Sequence, residues 1–260
     1  MDSAFYVSDG DRFVSSELTR GPWDPNAQHA GPPAALIARE LERMDDEGSW
    51  QIGRITFEIL RPVPIAPLAV RTRIERPGKS VQLLSASLTS EEDEVIRASA
   101  WRLAKRELEL PAGIERRERD IPGPDEATEE EFFATGQDVG YHTAMEYRFV
   151  SGRFLDQGPA TVWMRMRHQL VEGEQPSPLQ RVLTAADSGN GVSATLDWSR
   201  YLFINVDLSV HLHRLPAGEW VCLDAITIPE PEGIGLADTA LYDERGSLGR
   251  ALQTLLVRER

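Results

Sequence analysis

Three observations on the sequence predict an α+β fold of two tandem copies, each a central helix wrapped by long antiparallel strands. The first is internal similarity at a constant offset of 153 residues. Arg61 matches Arg214, Leu83 Leu236, Leu88 Leu241, Arg97 Arg250, Ala98 Ala251 and Leu103 Leu256, with no gap. The second is that apolar positions keep the same step, Ile55 with Leu208, Phe57 with Val210, Ile59 with Leu212 and Val70 with Leu223. The third is that in each half these alternating runs, the period of a half-buried strand, follow one helical stripe. A duplicated unit of about 120 residues makes two similar subdomains that pack on each other as a pseudo-dimer.

In the first copy Gly31-Pro32-Pro33 turns into a helix through Met44. Leu36, Ile37, Leu41 and Met44 share a stripe, while Arg39, Glu40, Glu42 and Arg43 are expected to face elsewhere. Proline suits a first turn, where its missing N–H has no intrahelical partner to lose. Strands are expected around Ile55 to Ile59, Val70 to Ile74, Val81 to Leu88 and Val95 to Leu103, with a hairpin at Glu91-Glu92-Asp93-Glu94. The second copy repeats the order. Its helix spans about Leu179 to Ser188 and ends at Gly189-Asn190-Gly191. Strands then cover about Phe203 to His213, Glu219 to Ile228, Ile234 to Tyr242 and Leu248 to Arg258. The boundaries expected are a first repeat over 1–106, an acidic, proline-containing linker over 107–140 and a second repeat over 141–260. The linker is expected to be a solvated connector.

Composition excludes several function classes. The 260 residues carry a formal net charge of -14, which argues against a nucleic-acid partner, since phosphate binding relies on clustered Lys and Arg. It leaves room for a phosphorylated small ligand, which needs only a local patch. The apolar runs are too short for a membrane span, and the start shows no secretory pattern. The single Cys222, inside Trp220-Val221-Cys222-Leu223, is expected to be a buried, inert thiol, which suits a cytoplasmic protein. There is no Gly-x-Ser-x-Gly and no phosphate-binding glycine loop. His211 and His213 could share a strand face, but no third ligand stands at metal spacing, so neither metal nor cofactor is expected.

Three motifs carry a family resemblance. Trp23-Asp24-Pro25-Asn26-Ala27-Gln28-His29-Ala30-Gly31-Pro32 precedes the first helix. Ala186-Asp187-Ser188-Gly189-Asn190-Gly191 is followed by Asn205 to Arg214, and Arg250 to Val257 closes the chain. In these motifs the sequence resembles the double hot-dog acyl-CoA thioesterases, proteins similar to bacterial acyl-CoA thioesterase II. The resemblance implies the double hot-dog fold, an acyl-CoA substrate, release of a fatty acid and free coenzyme A, and a homo-oligomer. In that family an Asp, a Thr or Ser, and a Gln jointly hold and activate the attacking water. By motif position the Asp falls on Asp187, the Gln on Gln253 and the hydroxyl residue on Asn205, a departure, since an amide orients water without a hydroxyl's donor geometry.

The chemistry agrees with that expectation. Thioester hydrolysis needs a base-polarised water and donors aimed at the developing oxyanion. A carboxylate beside a helix can be the base, and a helix N-terminus offers unpaired N–H groups. His29, Ala30 and Gly31 are the expected substrate-binding residues, with His29 ordering the loop and Trp23 packing as a lid or in the core. The first copy has this lead-in but no carboxylate at mid-helix, where Ala38 sits. The second has Asp187 but no His-x-Gly lead-in. One composite site with a degenerate mirror image is therefore expected. Two alternatives stay open: a hot-dog hydratase or dehydratase, which would want an Asp–His pair close in sequence, and a non-catalytic acyl-ligand-binding protein.

Overall fold

In the computed structural model, residues 3–45, 48–114 and 119–260 are described; the run at 115–118 in the acidic segment and the first two residues lie outside them. The chain opens with β1 (Ala4–Asp9) and β2 (Arg12–Ser15), then α1 (Gly31–Glu42). Four long strands follow: β3 (Trp50–Ile59), β4 (Pro67–Arg76), β5 (Val81–Ser90) and β6 (Asp93–Ala104). The two-residue β7 (Thr128–Glu129) and the short α2 (Tyr141–Ala144) lead into β8 (Met145–Ser151), β9 (Ala160–Met166) and β10 (Gln169–Val171). Then come α3 (Pro178–Ala186) and α4 (Gly189–Val192), β11 (Tyr201–Asn205), β12 (Asp207–Leu212), β13 (Val221–Pro229), β14 (Ile234–Asp243) and β15 (Gly246–Glu259). The strands form one sheet in the order β10-β1-β2-β4-β5-β6-β3-β12-β15-β14-β13-β9-β8-β7, with β11 also on β15. This is the expected double hot-dog: α1 and α3 are buried together inside the sheet's curve.

The halves meet at β3 and β12, which pair antiparallel. Glu58 faces Asp207 and Arg54 faces His211, reciprocal pairs under the 153-residue offset, as an isologous two-fold interface requires. At the centre Thr56 faces Ser209, its own counterpart, and their hydroxyls lie 2.8 Å apart. The offset found in the sequence is thus a pseudo-two-fold axis in the fold.

Four features differ from the sequence expectation. Strands precede the helix in both halves, and β1 crosses to the second half to pair with β10, in parallel. The expected strand from Phe203 to His213 is broken at Val206, whose N–H bonds the Thr254 carbonyl. Its counterpart Gly53 sits at the register shift between Ile52 and Arg54, so the break belongs to both copies. Arg39 does not face solvent. It is buried, with Nε 2.7 Å from Glu174 Oε2 of the other half and its guanidinium over the Phe13 ring. The segment between the repeats also contributes to packing: Phe132, Phe133 and Val139 pack on the core, and Pro122 O accepts from Trp163 Nε1. Cys222 is buried as expected, and burial pushes its thiol pKa up. No helix among the described residues is long and apolar enough to cross a membrane.

Candidate active site

Asp187 stands where α3 stops. Gln180 and Ser177 start that helix with reciprocal capping bonds, and Pro178 occupies its first turn. The helix breaks because Gln253, buried on β15, takes the Asp187 carbonyl with Nε2 at 3.1 Å and accepts the Asn190 N–H with Oε1 at 3.0 Å. Gly189 permits this approach: a Cβ there would lie 2.3 Å from Thr239 Oγ1. Gly189-Asn190-Gly191 therefore does not end the helical segment as expected; a further turn, α4, runs through it.

The Asp187 carboxylate is buried and fixed by two amides. Oδ1 accepts from Asn205 Nδ2 at 2.8 Å and from Gln253 Nε2 at 3.1 Å. With Oδ1 engaged, Oδ2 lies 3.2 Å from His29 Nδ1, which comes from the other repeat. Asn205 and Gln253 thus touch the carboxylate itself and set its orientation.

The start of α1 faces this carboxylate. Pro32 and Pro33 have no N–H, and the Ala34 N–H bonds the Ala30 carbonyl, so the helix can offer outward donors only from Ala30 and Gly31. Ala30 N–H has no partner among the described residues, whereas Gly31 N–H donates to His29 Nδ1 at 3.1 Å. Gly31 has no room for a side chain: a Cβ would lie 2.3 Å from the Thr184 carbonyl. His29 stacks on Tyr141 with ring centroids 3.7 Å apart. Burial lowers the His29 pKa against the opposing pull of Asp187, favouring the neutral ring. One neutral ring cannot use Nδ1 both to accept from Gly31 and to donate to Asp187. The form protonated on Nε2 holds the Gly31 N–H; the form protonated on Nδ1 pairs with Asp187 and releases it.

These groups border a cavity of about 370 Å³. His29, Ala30, Asp187 and Asn205 line it; Gly31 and Gln253 stand behind the lining. Sequence reasoning missed Tyr141 and Asn190. Tyr141 donates to the Thr184 carbonyl at 2.6 Å, lies 3.0 Å from Ser188 Oγ, and is held neutral by burial. Asn190 donates Nδ2 to the Phe203 carbonyl, and its buried Oδ1 has no partner among the described residues. Asn190 lay inside a quoted motif, read there only as a turn. Tyr141 carried no sequence signal.

The mirror position is built differently. The offset carries Asn205 onto Ile52 and Gln253 onto Ala100, both buried and apolar. A carboxylate is nevertheless present, contrary to the expectation drawn from Ala38. Glu42, at the end of α1, reaches the start of α3, accepting from Ser177 Oγ at 2.8 Å and Gln180 Nε2 at 2.9 Å. Burial raises the Glu42 pKa, while the two donors act the other way. A smaller cavity of about 220 Å³ adjoins it.

Family models describe both halves. Residues 19–103 match the acyl-CoA thioesterase N-terminal domain and residues 122–257 the acyl-CoA thioesterase C-terminal domain, together most of the chain. The chain belongs to the acyl-CoA thioesterase family. It is a thioester hydrolase, which sets aside the hydratase and non-catalytic alternatives. A thioesterase II candidate from Thermobifida fusca YX shares its fold with a TM-score of 0.77 at 18% identity, over 98% of this chain and 96% of that one. A hot-dog protein of unknown function from Alicyclobacillus acidocaldarius gives 0.73 at 16%, over 98% and 95%. The acyl-CoA thioesterase II TesB2 of Mycobacterium marinum gives 0.68 at 16%, over 97% and 94%. At these identities the likeness speaks for the fold alone. No curated protein matches the sequence.

Proposed function

We propose that this thioesterase cleaves acyl-CoA at the Asp187 cluster, with Asp187 as the base that activates water. The observation that carries the proposal is the carboxylate pinned through Oδ1 by Asn205 and Gln253, its Oδ2 facing the start of α1. Oδ2 takes a proton as the water oxygen attacks the thioester carbonyl carbon. The oxyanion is received by the Ala30 N–H, the donor at the start of α1 that borders the cavity. Collapse breaks the carbon–sulfur bond, and the proton held by Asp187 passes to the departing thiolate, giving a carboxylic acid and free coenzyme A. Asn205 and Gln253 act by orienting the base. This replaces the expectation that they hold the water directly, and it accommodates an amide where the family has a hydroxyl.

Arg61, exposed at the cavity rim, is a suitable cation for coenzyme A phosphates despite the acidic chain. The same reading places the protein in the cytoplasm, in acyl-CoA turnover, as a homo-oligomer of units bounded near residues 106 and 140. Thiol release from acyl-CoA by the purified protein and by Asp187→Asn tests the mechanism. Equal turnover by a folded Asp187→Asn protein would end it.

A further inference from the structure

His29 presents the cavity with a nitrogen that no protein group engages among the described residues. It lines the cavity beside Ala30 and Asp187, and its side chain keeps 14% of its surface exposed. Three contacts fix the ring. Tyr141 stacks on it with centroids 3.7 Å apart, and the Tyr141 hydroxyl is itself tied to the Thr184 carbonyl at 2.6 Å. The His29 backbone N–H bonds the Thr19 carbonyl, and Nδ1 accepts the Gly31 N–H at 3.1 Å. Nε2 makes no hydrogen bond among the described residues, yet it is not one of the unpartnered polar atoms sealed from solvent. An unsealed nitrogen on a ring that lines the cavity opens on that cavity.

The bond from Gly31 decides which nitrogen carries the proton. A neutral ring has one N–H, so when Nδ1 accepts, Nε2 donates. Burial lowers the His29 pKa, which favours the neutral ring. Base chemistry at Asp187 selects the same form. Oδ2 lies 3.2 Å from Nδ1, so once Oδ2 takes the water proton, a proton on Nδ1 would face it across that gap. With Nδ1 bare, the protonated carboxyl meets an acceptor instead.

We propose that His29 is a catalytic residue: its Nε2–H donates to the thioester carbonyl oxygen and, with the Ala30 N–H, holds the oxyanion of the tetrahedral intermediate. The proposal deepens the thioesterase reading above and rests on it. The proton stays on Nε2 throughout, so the ring works as a fixed electrophile and neither gains nor loses a proton. A donor set in place before reaction needs no reorganisation as charge develops, and it counts for more where water is scarce. The start of α1 offers the cavity a single backbone donor, because Pro32 and Pro33 have no N–H and Gly31 stands behind the lining. The neighbouring side chain supplies the second.

The test uses hexanoyl-CoA as substrate and two analogues. Trifluoroacetonyl-CoA carries a ketone that adds water to mimic the tetrahedral oxyanion, and S-hexyl-CoA has no carbonyl. Two replacements separate the ring nitrogens. The Asn amide sits where Nδ1 was and can still accept from Gly31; the longer Gln puts an N–H where Nε2 was. His29→Asn should lower kcat by about 100-fold or more, the cost of one oxyanion donor, and weaken trifluoroacetonyl-CoA by a similar factor. It should bind S-hexyl-CoA as the wild type does. His29→Gln should recover kcat to within about tenfold of the wild type. Equal losses in the two folded variants, or a matching loss of S-hexyl-CoA affinity, would overturn the proposal, because packing rather than a donor would then be at stake. Unimpaired kcat in His29→Asn would overturn it too and leave Asp187 standing as the base. If neither variant folds, nitrogen NMR of the wild type labelled at histidine decides. Trifluoroacetonyl-CoA should move the signals of a ring protonated on Nε2, and S-hexyl-CoA should leave them in place. A responding ring protonated on Nδ1, or no response, refutes the proposal. Analogue binding and NMR need no turnover, so they judge His29 even if Asp187→Asn shows the base to lie elsewhere.

Discussion

The two helix starts face opposite carboxylates, and only one of the pair is open for chemistry. At α3 the donors are consumed. Ser177 and Gln180 cap one another, and both also donate to Glu42. At α1 there is no side-chain cap at Ala30, two prolines remove competing N–H groups, and the facing Asp187 borders the larger cavity. The strand residues behind each carboxylate differ in the same sense: Asn205 and Gln253 on one side, Ile52 and Ala100 on the other. The two carboxylates are not each other's counterparts, since the offset carries Asp187 onto Ala34 and Glu42 onto Thr195; one is taken up by the cap of α3, and the other faces a cavity.

The sharpest way to break that comparison is to neutralise each carboxylate in turn. Asp187→Asn should lower kcat by about 100-fold or more, the scale of losing a positioned base. Glu42→Gln should leave turnover per folded molecule unchanged and cost about 1–3 kcal/mol of stability, because one carboxylate oxygen that accepts a hydrogen bond is lost. Thiol release alongside thermal melts separates the two. A large kinetic defect in Glu42→Gln would mean the mirror site also works.

The close approach at Gly31 gives the next effect. A methyl there must displace the Thr184 carbonyl, since the ideal Cβ would be 2.3 Å from it. Gly31→Ala should cost about 1–3 kcal/mol, the usual range for overpacking, and move the α1 donors away from Asp187. Ala38→Asp, buried on the same helix, should destabilise as well without adding a second activity. A gain in turnover from Ala38→Asp would contradict a single composite site.

Asn205 and Gln253 sharpen the comparison further. Each amide orients the same Asp187 Oδ1, so Asn205→Ala and Gln253→Ala should each reduce kcat by roughly tenfold, and the double variant by less than the product. Multiplicative losses would show that the amides act independently. Asn205→Thr, the residue usual in the family, should retain activity if a hydroxyl reaches the carboxylate. A folded but inactive Thr variant would show that the amide's reach is required.

The repeat, the helix starts and the long hairpin strands were legible because they leave periodic signals: alternation, proline at a first turn, a fixed 153-residue step. Asp187, Asn205 and Gln253 were found by motif position, and the structure brings them into contact. The strands ahead of each helix were missed, because a helix-first pattern left 4–15 and 145–171 unassigned. The His29 contact with Asp187 was invisible to any search for close spacing, since its partners come from different repeats and meet only across the pseudo-two-fold axis. Phe132-Phe133 was hidden by its acidic surroundings, Glu129-Glu130-Glu131. A paired aromatic in a supposedly solvated connector is a signal, because rings that large rarely stay in water.

The smallest effect expected is on pH dependence, and it follows from His29. Burial lowers its pKa in the folded protein below the ordinary histidine value of about 6.5. The unfolded chain therefore binds more protons between those two values, so stability rises with pH across that window and is lost as pH falls from about 6.5 toward the folded pKa. His142 is lowered in the same direction, chiefly by burial, and adds to the slope. His29→Asn should flatten the dependence of Tm on pH below about 6.5 without abolishing it, the remainder belonging to His142 and, in the opposite sense, to the raised carboxyl of Glu42. Melts at intervals from pH 5 to pH 8 provide the measurement. A steeper slope in the variant would mean that Asp187 favours the imidazolium more than burial opposes it. The mutual exclusion between the Gly31 and Asp187 contacts would then resolve in favour of the ion pair.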